Sequence, residues 1–371
     1  MTIYVAFLAY ILICAIIIYS KREDLERKNK LFLNYVFVVM FLLYSLRASS
    51  VGRDLPGYER AYGSADVDLF VGLRIGNFEK GYVFLMWICN KLNLSFQWFL
   101  TICNAFILLP IYRYIRKYSQ NAFLSVIIYV CYMFFEFNLT GLRQAIATSI
   151  VLIAIMVLIE SKRYWLGLLK YCLIVLLATL FHTGAFVALF YVPFHFMKKF
   201  KAYTLSIMAT AVVFLVGRGY IMGFVKNFYE KDTMNASAGL YIGLNLLFLI
   251  GLAALFIFGG KNRENKENNA LKGNTSVAIE GTSMQVVMEK MFYLSIAVLF
   301  LFGSDTSVRS YMILNQVIIV LLPNSLQYIF DKKSQRITIW ILTVFFIIFF
   351  FTNTLLSGGF DIVPYKFFWQ G

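Results

Sequence analysis

Arg143 and Gln144 stand at the head of a segment that then runs largely apolar for about fifteen residues. Arginine keeps its charge at any working pH and offers a planar fork of donors to anionic oxygens. Arg47 and Arg309 sit at the ends of other apolar runs. Near such ends the sequence also places groups able to move a proton: Asp54, Glu79 and His182, one of only two histidines. Imidazole titrates near neutrality, and a desolvated carboxylate is raised toward the same range. Each residue also has a plain structural role open to it. The arginines can snorkel to headgroups, the acids can cap helices, and His182 can close a tight hairpin. Position on the helix bears on the choice for Arg143. Gly141, Ala145 and Ser149 recur every four residues and form a small-residue ridge for close helix contact, and Arg143 lies roughly 200° around from Gly141. It therefore points away from the tightest packing. Exposure to lipid costs several kcal/mol, so a polar cavity inside a bundle is its expected destination.

The elements that hold these residues follow from composition. With 60% hydrophobic, 18% aromatic and 14% charged residues over 371 positions, the chain lies far from a soluble globular balance. Apolar runs near 3–19, 31–46, 94–112, 122–137, 144–159, 164–181, 183–197, 202–217, 240–259, 291–303, 310–330 and 337–352 predict about twelve transmembrane helices in an all-α integral membrane protein. A run at 81–90 is too short to cross and is expected as a re-entrant or interfacial piece near 81–92. The first run has no basic residue before it, a basic cluster after it and no cleavage site, so it reads as a retained helix. Five cysteines scattered through apolar runs fit buried small hydrophobes. The formal net charge of +15 is spread over short connections, which fits topology and anionic lipid and not nucleic acid.

Basic residues set the orientation. The connections at 20–30, 113–120, 160–164, 198–203, 261–290 and 331–336 hold 21 of the 34 lysines and arginines, against 11 in the alternate set. The positive-inside rule makes the first set cytoplasmic and puts both termini outside. The expected organisation is one polytopic domain, 1–371, with a long outer loop at 47–80 and a flexible cytoplasmic loop at 261–290; no internal repeat is evident. This sorting puts Arg47, the 51–63 turn, "NFEKGY", Arg143 with Gln144, "FHTGA" and "SDTSVRSY" on one face, the outer one. Residues 164–197 must cross twice in few residues, so His182 is expected slightly below that surface.

The order Arg47, "VGRD...Y" (51–58), "EKGY" (79–82), "LRQAIA" (142–147), "FHTGAF" (181–186) and "VRSY" (308–311), followed by Pro323, resembles the EpsG/Wzy-type membrane polysaccharide polymerases over most of the chain. One departure is Arg53, where the resemblance leads one to expect a small residue. The resemblance implies a multi-spanning GT-C-type glycosyltransferase of the bacterial cytoplasmic (inner) membrane. It would join lipid-linked oligosaccharide repeats on the outer side, for capsule or exopolysaccharide, from an undecaprenyl diphosphate carrier. Implied partners are the lipid-linked repeats, membrane lipid, a flippase and a chain-length regulator. The residues fit such a reaction independently. A departing diphosphate needs positive charge, which Arg143, Arg309 and Arg47 can supply, with Arg53, Gln144, Tyr58 and Tyr311 as further binding candidates. No acidic cluster with metal-ligand spacing lies outside, and no cofactor is implied. His182, Glu79 and Asp54 compete for the base, with Glu79 and His182 favoured. A ligase of the same architecture needs the same clamp. A transporter of lipid-linked sugars would instead place ionisable groups at mid-membrane within repeated halves.

Overall fold

The computed structural model describes residues 1–64, 78–197, 278–299, 304–356 and 358–370, with isolated helical positions between 204 and 257. The spans expected at 202–217 and 240–259 fall largely outside these residues, as do 65–77 of the expected outer loop and 261–277 of the inner loop. Among the described residues the architecture is all helical, and one isolated bridge, Arg47 with Phe367, is the sole extended pairing. Four helices are long and apolar enough to cross a membrane, or six if each of two bent pairs counts as one span. The chain divides into two compact units, one of residues 1–154, 173–183 and 337–371, the other of 155–172 and 184–336.

In the first unit, α1 (Thr2–Tyr19) packs on α2 (Leu25–Ser45), whose start is capped by the Asp24 carboxylate on the Glu26 amide. A short helix, α3 (Leu55–Gly63), forms inside the expected outer loop, with Pro56 in its first turn, where a missing N–H costs nothing. Residues 80–91 form α4 (Lys80–Lys91), whose 12 residues are too few to cross, in keeping with the expectation of a short segment there. The 23-residue α5 (Phe96–Tyr118) lies against α2. Residues 122–137, expected as one straight span, are instead two helices, α6 (Ala122–Cys131) and α7 (Phe134–Thr140), bent by 51° at a left-handed Met133. Just past the break the Tyr44 hydroxyl donates to the Phe135 carbonyl at 2.7 Å, which ties α7 to α2.

The 19-residue α8 (Leu142–Glu160) and α9 (Tyr164–Thr179) follow. A 3-10 turn, Thr183–Tyr191, and a short α-turn, Val192–His195, then take the place of the regular span expected at 183–197. On α8 the small-residue ridge packs closely, with the Ser149 hydroxyl donating to the Ile107 carbonyl of α5 at 3.0 Å. In the second unit, α10 (Ala278–Leu299) runs through residues expected to end a flexible loop at 290; its apolar second half coincides with the expected 291–303 run. α11 (Ser304–Asn315) and α12 (Ile318–Ile329) pack on α10 and form the other bent pair, at 55°. α13 (Lys332–Phe350), prolonged by a π-turn to Leu356, leads into a C-terminal tail.

Large apolar side chains are exposed on α1 (Ile13, Ile16, Ile17), α9 (Leu169, Leu173, Leu176) and α13 (Trp340, Ile341, Val344). Contiguous apolar exposure on this scale marks surface meant for lipid. The tail turns back over the first unit. Its backbone bonds Gly52 and Arg53 through the Asp361 and Phe360 carbonyls at 3.0 and 2.9 Å, and Ala48 through that of Lys366 at 2.9 Å. The Thr140 hydroxyl also donates to Phe360, at 3.1 Å. Gly52 is required there: it has φ 114°, and a Cβ would stand 2.7 Å from the Leu139 carbonyl oxygen.

Candidate active site

Three helix ends in the first unit meet at one polar cluster. Glu79 is the N-cap residue of α4, in extended backbone, and its carbonyl accepts the Tyr82 and Val83 amides. Its side chain makes no cap bond. The carboxylate turns away, so helix capping is not its task. One oxygen, Oε2, pairs with Arg143 Nη1, and the other, Oε1, lies 3.1 Å from His182 Nδ1 and 3.2 Å from the Thr183 amide.

Each partner is placed by its own element. Arg143 lies in the first turn of α8, where the helix dipole disfavours a cation, so the Glu79 charge offsets a local cost. Its guanidinium stands 4.5 Å from the centroid of the Phe78 ring and 5.8 Å from that of Tyr58, within cation–π range of both. The Tyr58 hydroxyl is 3.5 Å from Arg143 Nε. α3 carries Tyr58 and is held in place by the Asn90 amide on the Tyr62 carbonyl at 2.9 Å and by stacking of Tyr62 on Phe99. His182 follows the end of α9, with its amide on the Ala178 carbonyl at 3.1 Å. α4 and the end of α9 touch at backbone level, since the Gly81 amide donates to the Leu180 carbonyl at 2.7 Å.

The side chains of Arg143, Glu79 and His182 retain only 21%, 13% and 10% exposure, so their mutual charges act in a partly dry setting. Burial by itself raises the Glu79 carboxyl, but the His182 hydrogen bond and the charges of Arg143 and His182 outweigh it and hold the group at about 2. Glu79 is therefore an ionised acceptor. An ionised carboxylate has no proton to give, so His182 Nδ1 carries the hydrogen between them. In the neutral ring that leaves the lone pair on Nε2, which is the arrangement of an oriented general base. Glu79, held so far below neutrality, is a poor base.

Four of the residues singled out in the sequence thus come together: Arg143, Glu79, His182 and Tyr58. Gln144 is buried beside Arg143 on α8. Arg47 is placed otherwise. It is fully buried, with one Nη on the Tyr44 carbonyl and the other 2.9 Å from that of Leu139, so it ties the end of α2 to α7. Held on two carbonyls and fully buried, this guanidinium braces the backbone. Arg53 is exposed and pairs with Asp361 of the tail at 3.1 Å. Asp54 is half-exposed at the start of α3, with no side-chain cap bond. Arg309 and Tyr311 belong to α11 of the second unit, Arg309 exposed and Tyr311 buried. Two members of the cluster lie inside marked stretches without a role having been assigned to them: Phe78 in "NFEKGY", where its aromatic type was the one available signal, and Thr183 in "FHTGA", whose donor is a backbone amide with none.

A family model described as the EpsG family matches residues 30–367, nearly the whole chain. The chain belongs to the EpsG family. EpsG is a Wzy-type polysaccharide polymerase family, so membership points to a membrane polysaccharide polymerase with glycosyl-transfer chemistry acting on lipid-linked sugars. No curated protein and no solved structure matches the chain. All members of the cluster in this EpsG-family protein lie within the matched residues.

Proposed function

We propose that this EpsG-family protein transfers a glycan from an undecaprenyl diphosphate carrier to a sugar hydroxyl of another lipid-linked repeat, on the outer face of the bacterial cytoplasmic membrane. The observation that carries the reading is the Arg143–Glu79–His182 cluster, a cation and an oriented imidazole sharing one carboxylate. His182 Nε2 takes the proton of the acceptor hydroxyl while its oxygen attacks the anomeric carbon. The bond from that carbon to the diphosphate oxygen breaks, and the lipid diphosphate leaves with the bonding pair. Glu79 holds the imidazole in the required tautomer and stabilises the imidazolium that forms. Arg143 faces the charge that develops on the diphosphate, as fixed donors in a partly dry site do in acyl and phosphoryl transfer. Gln144 and Tyr58 are proposed to line the site beside Arg143.

The surrounding architecture is proposed as a GT-C-like bundle of about twelve spans with both termini outside. The substrate passes to this protein from a flippase, and a chain-length regulator acts beside it. A ligase would share the clamp and base, and the family favours the polymerase. Incubation of purified protein with native lipid-linked repeats tests the assignment. A ladder of products is expected. One larger product means a ligase, and unchanged repeats that move between leaflets of vesicles mean a transporter.

A further inference from the structure

The Glu79 carboxylate occupies Arg143. The pair is single-pronged: one Nη faces one carboxylate oxygen, Oε2. The second oxygen, Oε1, is spent on His182 at 3.1 Å and on the Thr183 amide at 3.2 Å. A carboxylate so divided cannot offer the two-oxygen face that a guanidinium fork binds best, and a diphosphate can. The Phe78 and Tyr58 rings hold the guanidinium by its apolar surroundings, which keeps it in place whichever anion it faces.

We propose that Glu79 stands in for the donor's diphosphate on Arg143 and yields that cation when donor binds, so that the base is completed only in the loaded protein. The inference rests on the assignment of Arg143 to diphosphate and His182 to the acceptor proton. When Arg143 turns its fork to the phosphate oxygens, Glu79 keeps His182 and the Thr183 amide as partners. Its charge, no longer shared with a cation, then favours imidazolium more strongly. Proton removal from an acceptor sugar is thereby coupled to the presence of a leaving group, and an idle base does not sit activated toward water. Glu79 is a positioning residue in this scheme, since it acts through Arg143 and His182.

The scheme makes an unusual demand: removing the Glu79 charge should tighten diphosphate binding while slowing turnover. The measurement is the dissociation constant of farnesyl diphosphate for purified full-length protein, beside the rate of polymer formation from lipid-linked repeats. Glu79→Gln should bind farnesyl diphosphate roughly fivefold more tightly than wild type, the factor that one modest ion pair represents. Its turnover should drop at the same time. Glu79→Asp, which keeps the charge on a shorter stem, should fall between the two in affinity. It serves as the test if the glutamine variant does not accumulate in the membrane. His182→Gln should bind farnesyl diphosphate as wild type does. Unchanged or weaker binding by Glu79→Gln and Glu79→Asp overturns the stand-in role. If turnover of the Glu79 variants is lost without tighter binding, the stand-in fails and the oriented base survives. If wild type makes polymer but Arg143→Lys binds farnesyl diphosphate normally, the phosphate assignment itself fails.

Discussion

At the scale of single residues, the shape of the donor group separates a phosphate ligand from a lipid anchor. Lysine keeps the charge of Arg143 but loses the planar fork, so Arg143→Lys should cost about 2–3 kcal/mol of transition-state stabilisation, roughly 30- to 150-fold in rate. Initial rates of polymer formation at matched membrane levels check this, with the exposed Arg22→Lys as a control that changes nothing. Glu79 gives a second expectation, in pH. Its carboxyl is lowered from 4.5 to about 2 on folding, so the pair stabilises the protein above the unfolded value, and that contribution is lost as pH falls from 4.5 toward 2. Thermal unfolding in detergent from about pH 6 to about pH 3 should show wild type losing more stability than Glu79→Gln. An equal loss in both would contradict the pairing. The sequence marked Arg143, Glu79 and His182 because few charged or imidazole groups stand at the mouths of apolar runs, and Tyr58 through the family resemblance. It did not show that Glu79 and Arg143 share a salt bridge, because residues 64 positions apart meet only in three dimensions. The place of Arg47 was hidden for the same reason. A helix-end arginine reads alike whether it faces a phosphate or, as here, the Tyr44 and Leu139 carbonyls.

At the scale of elements, the site depends on how closely α4 approaches the end of α9. A Cβ on Gly81 would stand 2.7 Å from the Leu180 carbonyl oxygen and 3.0 Å from its Cβ, so Gly81→Ala forces the two apart by tenths of an ångström. Glu79 sits two residues earlier and moves with that contact. Gly81→Ala should therefore reduce the polymerisation rate by about tenfold or more through misplacement of Glu79 against His182. Melting temperature and membrane yield should fall far less. Equal losses in rate and melting temperature would mean that the contact is merely structural. The ridge of Gly141, Ala145 and Ser149 was legible, because small residues at a spacing of four have few other uses in an apolar helix, and Ser149 does meet the α5 backbone. The break at Met133 was not legible. Neither glycine nor proline marks it, and the left-handed residue there is a methionine.

At the scale of the whole molecule, composition and the exposed apolar faces agree on a membrane protein, and the family match extends over nearly all of it. Sidedness rests on the 21 basic residues gathered in alternate connections. Cysteines introduced at Asp66 or Ala236 should react with an impermeant thiol reagent in intact cells, and one at Asn268 should not. The reverse pattern would turn the site toward the cytoplasm. Span count was the less legible quantity, because hydropathy does not distinguish one straight span from the bent α6–α7 and α11–α12 pairs. The central claim is that the cluster at the ends of α4, α8 and α9 performs glycosyl transfer with His182 as base. Its most direct test is polymer formation from lipid-linked repeats by purified wild type and His182→Gln, which keeps a hydrogen bond to Glu79 but cannot titrate. The account predicts a ladder from wild type and none from His182→Gln, with folding and diphosphate binding retained. A wild-type ladder from His182→Gln would contradict it.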